Sequence, residues 1–319
     1  MPAPLPAPNF DPAAAFPEVT PLRAALSGTD WQTVERIFAG RDAATVSRLL
    51  NVAADVPGTE DFLRWAVSQR PGDPLSATML AARLVIVGWE IRSGRRANQV
   101  SQEQFDQFHA YLRQAETILI DVTARHPGYV PAWSWRVTTA RGLQMGQSEA
   151  RRRYDRLARH DPHHVLAQES LLQKLCPKWG GTWDAVHSFA RDCMRAAPEG
   201  AQNAIVVLDG HLERAFELDT LEQAEQYLLG MEVWQEIQEA ARRSVWHPAF
   251  RHDWGWVGTR SSFAMVFCLT GDWRSAATQF TVLANAGNVA SVGMFDALGD
   301  ASEVFQRLRA EAYAKGGAR

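Results

Sequence analysis

The sequence predicts an all-α fold, a stack of antiparallel helix pairs. Three observations predict it. Pro127, Pro162 and Pro198 recur at intervals of 35 and 36 residues, close to the roughly 34-residue period of helix-pair repeats whose second helix ends at a proline. Counting back from each proline, positions twelve, eight and five upstream are Ala115, Ala150 and Val186, then Leu119, Tyr154 and Ala190, then Val122, Leu157 and Cys193. These offsets fall on one helical face. Downstream, Val130, Val165 and Ala201, then Val137, Leu172 and Leu208, give a second stripe on the following helix. No stretch alternates apolar and polar residues over six or more positions, and no Asn-Gly hairpin turn is present.

The elements follow in order. Residues 1–21 have five prolines in the first twelve positions and read as an extended tail, flexible unless Phe10 or Phe16 docks. Residues 22–72 form an N-terminal helical segment. In it, AATVSRLLNVAADV ends near Pro57 and EDFLRWAVSQ follows. Residues 73–300 form the repeat domain. Its first helix, SATMLAARLVIVGWEIRSG, meets a polar interruption at Gly94–Ser101. Ser101 and Gln104 then make a capping box that opens a helix running to Arg125. Helices flank Pro162 and Pro198, one of them covering Gln202 to Leu218. Thr220 restarts the chain, and Gly230 breaks the helical stretch from Glu222 to Trp246. A last pair covers Ser261–Leu269 and Asp272–Ala286. Residues 301–319 read as a capping helix and tail, the polar end that a solenoid requires.

Composition narrows the function classes. The 319 residues are 46% apolar with a net charge of −3, so no global field draws the chain to nucleic acid or to an anionic membrane. Cys176, Cys193 and Cys268 lack metal-ligand spacing, and an odd count argues against a disulfide framework. They read as reduced thiols in a cytoplasmic protein. No stretch approaches the roughly 20 apolar residues of a membrane span. The N-terminus lacks the basic and apolar regions of a signal peptide. No metal, cofactor or catalytic residue is expected.

Two segments go beyond generic helix pairs: LLQKLCPKWGGTWDAVHSFARDCMRAAPEGA (Leu171–Ala201) and SSFAMVFCLTGDWRSAATQFTVLANAG (Ser261–Gly287). With HAYLRQAETILID and EARRRYDRLARHDPHH, they resemble a bacterial family of TPR-like proteins, widespread in actinobacteria and catalogued as a domain of unknown function. Its most recognisable part is the turn Trp179-Gly180-Gly181 followed by Phe189 and Ala190. The register Gly271, Trp273, Ala276, Phe280 is similar to the second-helix pattern of tetratricopeptide repeats. The resemblance spans roughly Asp73 to Gly293. It implies a right-handed superhelical stack of antiparallel pairs, a TPR-like α-solenoid, and no established activity. The family often has a tryptophan shortly after its final pair, where this chain has NVASVGMFDALGD.

Four features carry candidate function. Gly180 and Gly181 permit close backbone approach, letting Trp179 fold over a helix junction with Thr182 as N-cap. Beside Lys178 the same turn suits an anion at a helix start, although no nucleotide-binding glycine motif is present. The segment from Arg242 to Arg260 gathers Trp246, His247, His252, Asp253, Trp254, Trp256 and Arg260. Either the aromatics plug a groove between pairs, or the loop contacts a ligand. Pro248 and the five-residue gap between the histidines oppose a metal-binding helix. Arg151, Arg152, Arg153, Arg156 and Arg159 crowd one helix. They read as a solvated face paired with carboxylates rather than a nucleic-acid surface. Trp133 and Trp135 point to different sides of their helix, since two residues turn it by about 200°, so one of them is expected to face a groove.

The function expected is an interaction module that binds a peptide or protein partner in a concave groove. Its contacts are placed at exposed positions of the first helices: Trp133, Arg136, Thr139, Arg141, Gln168, Gln173, Asn203 and His211. The alternative is a small-molecule-binding protein or enzyme using the loop 246–260. Membrane binding is not expected, and RNA or DNA binding through the Arg151 helix is the weakest reading.

Overall fold

A computed structural model describes residues 5–94, 99–293 and 295–317. Among them the chain is all-helical, with helix pairs packed in sequence, and its one β-bridge joins Asn9 to Val289. The chain divides into two compact units, Glu18–Gly181 and Met1–Pro17 with Thr182–Arg319. Most of the expected interruption at Gly94–Ser101 (residues 95–98) lies outside the described residues.

The unit Glu18–Gly181 holds α1 (Val19–Ser27), α2 (Trp31–Phe38), α3 (Ala43–Ala54), α4 (Glu60–Gln69), α5 (Pro74–Arg92), α6 (Gln102–Arg125), α7 (Val130–Gly142), α8 (Gln147–Ala158) and α9 (Val165–Leu175). Local chemistry sets the starts. Asp30, Asp42 and Asp73 each accept a hydrogen bond from the backbone three residues on, at Thr33, Thr45 and Ser76. Each satisfies one orphan donor of a first turn. Ser101 and Gln104 form both halves of the capping box read from the sequence. The helices flanking Pro127 (α6, α7) and Pro162 (α8, α9) pack side by side, as the proline spacing requires.

α5 departs from expectation. With 19 residues and a mean hydropathy of 1.3, it is long and apolar enough to cross a membrane. Here it is the central helix of its unit, packed against α3, α4, α6 and α7. Met79, Leu80, Leu84 and Val85 are buried there. Its one buried cation, Arg83, donates to Glu60 at 2.8 Å, the Ala54 carbonyl at 2.8 Å and Glu90 at 3.1 Å.

The second unit holds residues 5–17 and α10 (Trp183–Ala196), α11 (Ile205–Phe216), α12 (Leu221–Leu228), α13 (Met231–Arg243), α14 (Trp256–Leu269), α15 (Trp273–Asn285) and α16 (Ala301–Gly316). α10 and α11, on either side of Pro198, pack together. Thr220 caps α12, and Gly230 separates it from α13. α14 starts at Trp256, five residues earlier than Ser261. Residues 5–17 are docked, not a flexible tail. Phe16 stacks on Trp254 at 3.9 Å and Phe10 meets Phe305 edge-on at 6.3 Å. Asn9 exchanges backbone bonds with Asn288 (2.8 Å) and Ala290 (2.9 Å). The aromatic area buried by the two phenylalanines offsets the cost of ordering the segment. Residues 5–17 also lie over the face of α16 that carries Phe305 and Arg309, so the final helix is covered rather than bare.

His164 illustrates how one side chain ties non-adjacent elements. Its Nδ1 accepts the Ala167 N–H at 3.2 Å and caps α9, so the proton sits on Nε2, 2.8 Å from the Ser47 hydroxyl on α3. Burial, and next the Arg48 charge, push its pKa down to about 4, with Asp42 opposing. The unfolded chain therefore takes up a proton that the folded chain refuses. Stability present above pH 6.5 is lost as pH falls from 6.5 to about 4, by up to about 3 kcal/mol. His164→Asn keeps a capping oxygen and removes the titration. Urea unfolding across this range is expected to show a shallower pH slope for the variant than for the native chain, by up to one proton. Equal slopes would contradict the cap.

Candidate functional site

Alternate helices of the unit Glu18–Gly181 enclose a cleft of about 350 Å³. α3 contributes Asn51 and, at its C-cap, Asp55; α5 contributes Val85, Ile86 and Trp89. α7 supplies Ser134, Trp135, Thr138 and Arg141; α9 supplies Leu166 and Ser170. The cleft forms because α3, α5, α7 and α9 share the inner layer: α7 packs against α3, α5 and α9. The walls combine apolar surface with hydroxyls, and Thr138 and Ser170 bond each other at 3.1 Å.

Charge is placed at named points of this cleft. Arg141 lies over Trp89 at 5.3 Å and over Trp179 at 5.7 Å. Stacking of this kind helps hold a guanidinium in place. Burial lowers the pKa of nearby Lys174, and the Arg141 charge lowers it further. Asp55 is exposed at the rim, but the enclosing walls raise its pKa, with Arg83 opposing and Glu90 adding. The cleft thus offers an apolar pocket, a held cation and a carboxyl group.

α7 is enclosed on both sides, and that separates the predicted contacts. Trp135 lines the cleft, although like Trp133 it is buried. Trp133 is buried, donating from Nε1 to the Pro127 carbonyl at 2.9 Å, under Arg136 at 4.9 Å. Gln168 repeats the device one unit on, donating to the Pro162 carbonyl at 3.1 Å. Arg136 and Thr139, read as exposed, are 8% and 0% accessible. They belong to a network around Glu116 of α6. Arg136 reaches Glu116 at 2.9 and 3.1 Å, Thr139 at 2.6 Å, and Arg153 of α8 at 2.9 and 3.0 Å. Asn203 is also buried, in a 3-10 turn before α11. Gln173 is half-buried near the end of α9. Of the arginine-rich helix, Arg151 and Arg152 pair with Asp155 and Glu149, as a solvated face does.

The Trp179-Gly180-Gly181 turn packs against two residues of the cleft wall, Trp89 and Arg141. Gly180 adopts φ +84°, and a Cβ on Gly181 would lie 1.8 Å from the Leu175 carbonyl oxygen. Gln147 donates to the Lys174 carbonyl at 2.8 Å and to the Trp179 carbonyl at 3.1 Å. These contacts aim the Trp179 ring at Arg141 and, edge-on at 6.3 Å, at Trp89. Lys178 is exposed outside this arrangement.

In the other unit the loop before α14 is packed mainly through its aromatics. Trp246 stacks on Phe267 at 5.4 Å, Trp254 on Phe16 at 3.9 Å, and His252 on Trp256 at 4.0 Å. His247 pairs with Glu199 at 3.2 Å. His252 and Asp253 are exposed, while Trp256 and Arg260 belong to α14 and are buried. Asp253 acts on His252 through its charge, and the carboxylate paired with His247 is that of Glu199.

His211 leads to a cluster that the sequence did not reveal. Its Nε2 faces Glu236 of α13 at 3.0 Å and its Nδ1 faces the Tyr227 hydroxyl of α12 at 2.8 Å. That hydroxyl lies 3.3 Å from Nε2 of His187 on α10, whose ring stacks on His211 at 4.5 Å. Arg191 holds Glu236 at 2.9 Å. The His211 bond, opposed by burial and helped by Arg191, lowers the Glu236 pKa to about 2. Burial, then the His211 charge, lowers that of His187 to about 4. The cluster links four helices through one hydrogen-bonded chain. Among the described residues no three His, Cys, Asp or Glu side chains converge to hold a metal ion.

No protein-family model matches the chain, and no curated protein matches it in sequence.

Substituting Gly181 tests how this turn is held against the wall of the cleft. Gly181→Ala forces the turn off the Leu175 carbonyl, a backbone contact that cannot yield as a side chain does. We expect a stability loss well above about 1 kcal/mol in urea, with Trp179 emission shifted to the red as its ring leaves Arg141. A variant that matches the native chain in both readouts would contradict this account of the turn.

Proposed function

We propose that the chain is a helical-repeat interaction module, a right-handed superhelical stack of the tetratricopeptide type, whose partner site is the cleft between α3, α5, α7 and α9. The occupant is a peptide segment of another protein. One observation supports this above the rest: the cleft is built by alternate helices of consecutive pairs, the layer through which such stacks bind peptides. Its volume of about 350 Å³ lies at the low end for ligand sites, and suits a single anchoring side chain. The anchor packs on Val85, Ile86, Trp135 and Leu166, while Arg141 takes a carbonyl or carboxylate of the bound segment. Asn51, Asp55 and the cleft hydroxyls take its N–H groups. Cys176, Cys193 and Cys268 are buried and outside any disulfide, which supports the cytoplasmic setting in the same proposal.

A random peptide library displayed on phage tests the reading. Peptides with a shared apolar anchor are expected to enrich on the native chain. They should bind at least tenfold more weakly to Ser170→Trp, which plugs the cleft, and to Arg141→Glu, with circular dichroism unchanged in both. Enrichment of peptides that bind the two variants as tightly as the native chain would overturn it, as would failure of the native chain to enrich any.

A further inference from the structure

Arg260 stands apart from the other enclosed arginines. Arg83, Arg136 and Arg153 each hold a carboxylate. Arg260 is 8% accessible and, among the described residues, forms no ion pair. Its Nη1 donates to Oε1 of Gln279 at 2.6 Å and its plane lies over Phe250 at 4.8 Å. Its Nε is buried with no acceptor. Gln279 is fully buried, and its Nε2 also has no acceptor. Arg309 likewise lacks a carboxylate, but both its terminal nitrogens are used, by Asn288 and by the Pro6 carbonyl.

A buried guanidinium with only neutral partners is unfavourable relative to one that meets a counter-charge, and burial pushes the pKa of Arg260 down. The edge left open matters as much as the charge. Nη1 is taken, so Nε and Nη2 remain, and these two donate in parallel to the two oxygens of one carboxylate or phosphate. Arg260 lies in the second turn of α14, and helical side chains lean toward the N-terminus of their helix. It therefore runs back toward the start of α14, where no side chain caps the first turn and orphan N–H groups add to the positive field.

We propose that Arg260, held by Gln279, forms an anion site beneath the segment 246–255, which takes the oxyanion group of a small carboxylate or phosphate compound. Nε and Nη2 of Arg260 grip the two oxygens, while Gln279, accepting from Nη1 at 2.6 Å on the other side, fixes the guanidinium that presents them. His252 stands at the edge of this field. Burial, then the Arg260 charge, lowers its pKa, with Asp253 opposing. An anion on Arg260 cancels part of that repulsion, so His252 reports occupancy.

The test uses the full chain with labelled histidine, the His252 signal being assigned by its loss in His252→Gln. Sodium phosphate and sodium acetate are titrated separately against chloride at constant ionic strength, with nuclear magnetic resonance and thermal unfolding as readouts. At least one oxyanion is expected to raise the His252 pKa and the melting temperature saturably, and the tighter arm identifies the ligand class. Arg260→Gln should weaken the response at least tenfold, Arg260→Lys less, and Gln279→Met several-fold. A native chain that responds to neither anion beyond the chloride control overturns the proposal, whether or not the variants fold. An unchanged response in Arg260→Gln also overturns it.

Discussion

A single buried carboxylate, Glu116, holds three helices in register. It stands on α6, takes two guanidiniums and a hydroxyl, and is 5% accessible. Arg136 and Thr139 come from α7, and Arg153 from α8. Removing one partner from such a cluster leaves an uncompensated charge, so the three helices hold or fail together. The consequence for the site is geometric. With Arg136 and Thr139 committed to this side, Ser134, Trp135, Thr138 and Arg141 face the opposite way. That face of α7 is the middle wall of the cleft.

The same economy recurs at the turns. Trp133 and Gln168 occupy equivalent positions six residues after Pro127 and Pro162, and each donates to the carbonyl of its proline. A proline residue has a carbonyl but no N–H to continue a helix. The donor supplied from the next helix satisfies that carbonyl and closes the junction. Residues that looked like ligand contacts thus join one helix pair to the next, and the cleft is left to residues of the other face.

The helices were legible because their signals are local. Proline spacing, the Ser101–Gln104 box and Thr220 fix starts and stops without reference to the rest of the chain. The side-chain roles of α7 were not legible. Periodicity gives the angle of Arg136 around its helix, but α7 is enclosed on both flanks, so both angles lead inward. The run VPAWSWRVTTARG carries a signal of this: it mixes small and aromatic residues all round, with no solvent stripe. His187, His211, Tyr227 and Glu236 meet from four helices, and no spacing in the chain announces that meeting. The docking of residues 5–17 depends on Phe305 and Trp254, far away in sequence, so prolines alone suggested a tail.

Amide hydrogen exchange in Glu116→Gln tests the dependence of the cleft on this carboxylate most directly. The substitution keeps the shape and removes the charge between two buried arginines. We expect protection across α6, α7 and α8 to fall by an amount equivalent to about 3–5 kcal/mol, while α1 and α2 keep theirs. Native protection of α7 in that variant would contradict the account, because α7 would then be positioned by packing alone.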